Sequence, residues 1–164
     1  MIRKTIDKVL GVIVVTIMGI LVLDVLWQVF SRYVLTSPSS YTDELAGYLL
    51  IWVGLLGAVY VSGQKEHLAI DIWLQRAGEK GKFRLKVIIS VLTFLFALLV
   101  MLIGGTWLVY TRFILDVTSA SVEINMGYVY LVLPISGLLI MYYSADDLRT
   151  DVRQRNRNKL NLSK

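Results

Sequence analysis

Apolar residues gather into four long runs in this chain, and the segments between them hold nearly all of the charge. The runs cover about 9–30, 45–62, 85–110 and 126–145. A hydrocarbon core of ~30 Å takes ~20 residues of helix. The first and last runs fit that length, the second is short, and the third is long enough to tilt. Backbone N–H and C=O groups in lipid must be bonded within the structure, so each run is expected to be helical despite its many Val and Ile residues. The predicted fold is therefore all-α: a polytopic membrane protein with four transmembrane helices, forming one membrane domain over residues 1–164. A soluble four-helix bundle would need a polar face on every helix, and the stretch from Val87 to Gly104 offers almost none.

Composition strengthens this reading. The chain is 56% hydrophobic and 18% charged, with a mean hydropathy of +0.65. A net charge of +5 on a soluble domain would raise nucleic acid as a partner. Here the charges sit at the chain ends and in one connection, so membrane lipids are the expected partner and nucleic acid is not. The chain has no cysteine, so disulfide and thiolate chemistry are excluded. The opening, Met1 to Val15, has a basic region before an apolar one, as a signal peptide does. The apolar run continues to Phe30 without a small-residue cleavage site, so it reads as a retained first helix.

Charge also sets the orientation. Arg3, Lys4 and Lys8 precede the first run, and Lys65, Arg76, Lys80, Lys82, Arg84 and Lys86 fall in or beside the second connection. The tail carries Arg149, Arg153, Arg155, Arg157, Lys159 and Lys164, whereas the other two connections hold only Arg32 and Arg112. With alternating spans, 15 of the 17 basic residues share one side. The positive-inside rule makes that side cytoplasmic, with both termini there. Trp27, Phe30, Tyr33 and Tyr41 then mark the outer interface, as do Tyr110 and Phe113, while Tyr142 and Tyr143 mark the inner one.

The polar residues near the runs are the candidates for function. Asp24 lies inside the first run, and Gln28 and Arg32 follow at helical spacing on one face. An intramembrane carboxylate is costly unless it is paired, hydrated or facing protein. Three roles stay open for Asp24: an ion or proton relay, a polar contact near the interface, or part of a partner-facing surface. In the outer connection Pro38 interrupts helix. Thr42 is placed to cap the next helix, while Asp43 and Glu44 suit the positive end of its dipole. Glu44 is also within reach of Arg32. Gly54 and Gly57 form a smooth strip for close helix approach, and Gly104, Gly105, Ser136 and Gly137 offer the same in the later spans.

The second connection places Leu68, Ala69, Ile72 and Trp73 at helical spacing, with Asp71 on another face. This predicts a short amphipathic helix in the inner interface, followed by a basic stretch near anionic headgroups. His67 is the only histidine, so no metal site or other cofactor is expected. No nucleophile–base pair, phosphate loop or histidine cluster is spaced as a catalytic set, and the chain does not read as an enzyme.

An ordered set of residues resembles a known family. Arg32-Tyr33-Val34, Pro38, Tyr41 and Glu44-Leu45 are followed by Trp52, Gly54, Gly57, Glu66-His67 and Asp71, with Pro134 in the last run. This set is similar to the small membrane subunit (DctQ type) of tripartite ATP-independent periplasmic (TRAP) transporters. The family usually has Trp at the position of Tyr41, and often a basic residue shortly before the histidine, where this chain has Gly63-Gln64-Lys65. The resemblance implies an accessory subunit in a bacterial inner membrane. Its partners would be a large multispan permease subunit and a periplasmic solute-binding protein, and a sodium gradient would drive uptake of a carboxylate or sialic-acid-like solute. Arg32, Tyr41, Asp43, Glu44, Gly54, Gly57, His67 and Asp71 would then serve partner or structural contacts. Asp24 has no counterpart in the resemblance. The rival reading is a self-sufficient small transporter or channel.

Orientation is directly testable. Reporter fusions after Lys4, Ser39, Glu79, Ser119 and Lys164 should read inside, outside, inside, outside and inside. An external C-terminus would overturn the assignment.

Overall fold

A computed structural model of the chain describes residues 2–35, 40–64 and 79–162. Four helical segments in it are long and apolar enough to cross a bilayer: Arg3–Tyr33, Ser40–Gln64, Phe83–Ile114 and Met126–Arg153. The all-α, four-span expectation holds, and the helices extend past the ends of most apolar runs. The proposed interfacial helix, His67, Asp71 and Pro38 lie outside the described residues.

Helix α1 (Ile2–Tyr33) is shielded along one stripe. Arg3, Asp7, Leu10, Val14, Ile17, Leu21, Asp24, Gln28 and Ser31 follow one another in alternating steps of four and three, with Ile6 and Gly11 at the margin. That spacing is the seam of a left-handed helix pair. The remaining faces of α1, including Val12, Val15, Leu23 and Leu26, are exposed to the bilayer. Helix α2 (Ser40–Gln64) packs antiparallel on this seam. Gln28 meets Asp43 at one end, and Gly11 admits the Tyr60 ring near the other.

The third span has three parts: α3 (Glu79–Phe96), a π-helical segment (Ala97–Gly104) and α4 (Gly105–Ile114). No proline lies in this span. The fourth span consists of α5 (Met126–Tyr130) and α6 (Val132–Leu162). Asn125 caps α5 by accepting from the Gly127 N–H at 2.8 Å. Pro134 sits in the first turn of α6, where a missing N–H does no harm.

Extensive contacts run from α1 to α2, from α2 to α6, and from α6 to α3 and the π segment. The helices thus form a row in the order first, second, fourth, third, with the core shared by Leu10, Leu56, Val59, Ala97, Met101, Val132, Ile140 and Tyr143. Glycine permits a close approach in the last step of that row. A Cβ on Gly137 would lie 3.0 Å from Met101 Cβ, 3.1 Å from Leu102 N and 3.2 Å from Ala97 O. One on Gly105 would lie 3.0 Å from Leu133 Cβ and 3.2 Å from Pro134 Cδ. Gly54 and Gly57, by contrast, have nothing within 4 Å on their open side.

The two kinds of glycine should therefore behave oppositely. Gly137→Leu must push apart the fourth span and the π segment and should cost about 2 kcal/mol or more, as overpacking does. The purified chain should then melt roughly 4–8 °C lower. Gly54→Leu removes a helix-weakening residue at an open position and should leave the melting temperature unchanged or raise it. A thermal scan in detergent that showed equal losses for both would contradict this packing.

Candidate functional site

Polar side chains collect at both ends of the helix row. On the side of the termini, the centre is Arg3, the second residue of α1 and on its seam. Its Nη1 donates to Asp146 Oδ2 at 2.8 Å and to Asp147 Oδ1 at 2.7 Å. Its Nη2 donates to the Gly63 carbonyl at 2.6 Å, one of the carbonyls left free by the last turn of α2. The guanidinium carbon lies 5.2 Å from the centre of the Tyr143 ring. Tyr143 is fully buried, and its hydroxyl donates to Asp7 Oδ1 at 2.5 Å. Gly63 makes room for this junction, because a Cβ there would stand 2.8 Å from Tyr143 Cζ and force a shift. One arginine therefore joins α1, α2 and α6.

Sequence reasoning missed this cluster. Arg3 counted only toward membrane orientation, and Tyr143 was expected as an interface aromatic, whereas it lies inside the protein. The available signal was the period of the α1 seam, which carries Arg3 and Asp7 as well as apolar residues, together with the adjacent Asp146-Asp147 pair. Lys86 and Asp151 approach to 3.9 Å nearby, but the lysine is half exposed and the pair adds little.

At the opposite end, Glu44 ties α2 to the connection between the third and fourth spans. Its Oε2 accepts from the Ser119 hydroxyl, from Ser121 N at 3.1 Å and from Val122 N at 3.4 Å. That connection is a fixed turn, not a loose loop. Thr118 and Asn125 form an antiparallel bridge, and Asp116 and Glu123 hold left-handed backbone with φ of 47° and 55°. Asn125 also donates to Asp116 Oδ1 at 3.1 Å. The expected reach from Glu44 to Arg32 is not made, since the carboxylate is turned to the 119–122 turn and Arg32 is exposed. Asp43 accepts from Gln28, so it bridges α1 and α2 as well as standing in the first turn of α2. Thr42 is buried within that turn, two residues after the helix has begun at Ser40. Tyr41 is exposed.

Between the two ends, Trp52 donates its indole N–H to the Val129 carbonyl at 3.0 Å, close to the break between α5 and α6. Asp24 lies on the α1 seam with Gln28, whereas Arg32 falls off it. Its Oδ2 is buried without a hydrogen-bond partner among the described residues. The register set by Gln28–Asp43 and Gly11–Tyr60 brings Asp24 level with Gly47. Gly54 shares an open stripe of α2 with Gly47, Leu50, Ala58 and Val61. The structure thus brings Gln28, Asp43 and Glu44 into contacts, leaves Arg32, Tyr41 and Gly54 facing outward, and holds Asp24 between α1 and α2.

These features define a polytopic helical membrane protein whose polar groups chiefly join helices to one another. The sequence pattern of the DctQ component of tripartite ATP-independent periplasmic transporters matches residues 9–154. A Haemophilus influenzae protein named as a TRAP transporter small permease is 26% identical over 135 residues, covering 82% of each chain. The sialic acid TRAP transporter small permease protein SiaQ of Vibrio cholerae is 29% identical over 85 residues, covering 52% of this chain and 49% of SiaQ. The sialic acid TRAP transporter permease protein SiaT of H. influenzae is 27% identical over 132 residues, which are 80% of this chain and 20% of SiaT. The chain belongs to the DctQ family, the small permease component of TRAP transporters.

Arg3→Ala would leave Asp146 and Asp147 facing each other without their cation. The guanidinium is partly exposed, so the loss should be moderate, about 2 kcal/mol, as for hydrogen bonds to charged groups. Arg3→Lys should recover only part of it, because an ammonium lacks the planar fork that reaches two carboxylates and a carbonyl together. Chemical denaturation of the three proteins in one detergent measures both effects; a lysine protein as stable as the parent would show that the fork is dispensable.

Proposed function

We propose that this chain is a fixed accessory subunit of a bacterial inner-membrane transporter and has no enzymatic role. It would work beside a large multispan permease subunit that carries the moving parts, while a periplasmic solute-binding protein delivers the solute. Uptake would be driven by a sodium gradient, and the solute would be a carboxylate or sialic-acid-like molecule, the class for which SiaQ and SiaT are named. The termini face the cytoplasm in this reading, in line with the distribution of basic residues.

The observation that carries the proposal is how the polar side chains are engaged. Arg3 binds Asp146 and Asp147 and Tyr143 binds Asp7 at one end, while Gln28 binds Asp43 and Ser119 binds Glu44 at the other. A solute path needs polar groups that converge on a cavity near the membrane middle, commonly where helices are broken. Here the broken fourth span is sealed by Trp52. SiaT supports a large permease partner, because the stretch resembling this chain is one fifth of a longer permease polypeptide. The exposed stripe of α2 through Gly47, Gly54 and Ala58 has the small residues that allow a neighbouring helix to approach. On the outer face, the turn held by Glu44 displays Asp116 and Glu123, and Asp43 is exposed beside it. Such charges would steer a soluble partner.

The self-sufficient carrier has one observation in its favour, the Asp24 Oδ2, buried and without a partner among the described residues. The accessory reading gives Asp24 no relay role, so Asp24→Asn should leave uptake by the assembled system largely intact. The chain should co-purify with a co-expressed large permease and catalyse no uptake when reconstituted alone. Reversing the charge at Asp43 and Glu44 should weaken uptake, and the melting temperature of the complex separates poorer docking from a loosened 119–122 turn. Robust sodium-driven uptake by proteoliposomes holding only this polypeptide would refute the accessory role.

A further inference from the structure

α1 and α6 both pack on α2 and are joined directly by the Arg3 cluster at the side of the termini. Above that cluster they stand apart and leave a groove of about 350 Å³. Thr5, Val9 and Ile13 form one wall, Ile135 and Leu139 the other, and Trp52 lies in the floor. The lining offers no polar surface, and the one polar atom of Trp52 is held by the Val129 carbonyl. The groove lies wholly within spans that cross the bilayer, so hydrocarbon of some kind must fill it.

Its extent narrows the choice. Thr5 to Ile13 is ~12 Å of helix, close to the roughly 15 Å of hydrocarbon in one leaflet. A single acyl chain of that leaflet matches this depth. An acyl chain gains little hydrophobic free energy by leaving bulk lipid for a protein groove, so the headgroup must supply most of the selectivity. The α6 wall continues toward the terminus in alternating steps of four and three: Ile135, Leu139, Tyr142, Asp146, Arg149 and Arg153. The Asp146 carboxylate on that stripe is held by Arg3, whereas Arg149 and Arg153 are exposed below it. Arginine side chains there reach the phosphate level of the leaflet on their side.

We propose that this groove binds one anionic phospholipid of the leaflet on the side of the termini, with an acyl chain between α1 and α6 and its phosphate against Arg149 and Arg153. The lipid acts as a filler that completes the row of helices where α1 and α6 diverge. The site is independent of the solute and of the transport role.

The test uses the full-length chain in nanodiscs containing equal amounts of phosphatidylglycerol and phosphatidylcholine, with retained lipid counted by native mass spectrometry after mild detergent release. One phosphatidylglycerol per chain should be retained. Ile135→Trp fills the groove from one wall and should lower retention at least tenfold, and Val9→Phe does the same from the other wall should the first variant fold poorly. Melting temperature and helical content verify folding of each. Replacing both arginines with glutamine should keep a lipid in the groove but reduce the preference for phosphatidylglycerol by roughly twenty-five-fold, since each cation near the surface contributes about fivefold. A photo-reactive residue at Leu139 should yield a lipid adduct in native membranes. Retention unchanged by a folded groove-filling variant, no preference for the anionic lipid in the parent, or a polypeptide adduct at Leu139 would each overturn the proposal.

Discussion

Arg3 is the joint on which the arrangement of the helices depends. Lipid tails are as apolar as leucine, so no hydrophobic force gathers these helices inside the bilayer. Close packing and inter-helix hydrogen bonds must supply their association. α1 offers only a narrow seam to α2 and exposes its other faces, so its position relative to α6 would be poorly fixed by packing alone. The Arg3 fork fixes it by binding two carboxylates of α6 and a carbonyl of α2 at once. The location keeps the desolvation cost modest, because the Arg3 side chain retains 21% exposure near the headgroup layer. A comparable ionic cluster at mid-membrane would face a far larger penalty.

Glu44 does related work at the other end with different chemistry. A carboxylate there accepts from a hydroxyl and two backbone N–H groups, satisfying donors of a turn that has no helix or sheet to satisfy them. Between these two polar layers the contacts among the described residues are apolar, apart from Trp52 bonding at the break of the fourth span, the seam carboxylate Asp24 and the buried Ser136 hydroxyl. The glycines divide along the same logic. Gly63 lets Tyr143 reach Asp7, and Gly137 lets the π segment approach α6, so both are set by what lies opposite them.

The four spans were legible because their signal is long and local: some twenty apolar residues admit one backbone solution in lipid. The clamps were not, because they join residues 60 to 144 positions apart and depend on which face each residue takes. Arg3 and Arg32 look alike as basic residues at the ends of one apolar run. Only the seam period separates them, with Arg3 on the shielded stripe and Arg32 off it. Gly54 and Gly137 are equally alike in sequence, yet one faces outward and the other meets backbone at 3.1 Å. Glu44 was placed correctly near a helix start, but its partners lie in a turn whose left-handed residues, Asp116 and Glu123, give no glycine signal. The π segment left no trace in the sequence at all.

The open row has a mechanical consequence. Large conformational changes require elements with two arrangements of nearly equal free energy. Clamps at both ends of α2 work against that balance. Sliding α2 along α1 would break Gln28–Asp43 at one end and Arg3–Gly63 at the other, and carrying α6 along with α2 would also strand Asp7, Asp146 and Asp147 without their partners. Unpaired charges of that kind cost more than the pairs are worth, so the penalty for sliding exceeds the stabilisation read from the contacts themselves. A row held in this way presents broad lipid-facing and partner-facing surfaces while its internal register stays fixed. Such stiffness suits a part against which another subunit moves, and it would hinder a chain that had to move a solute by itself.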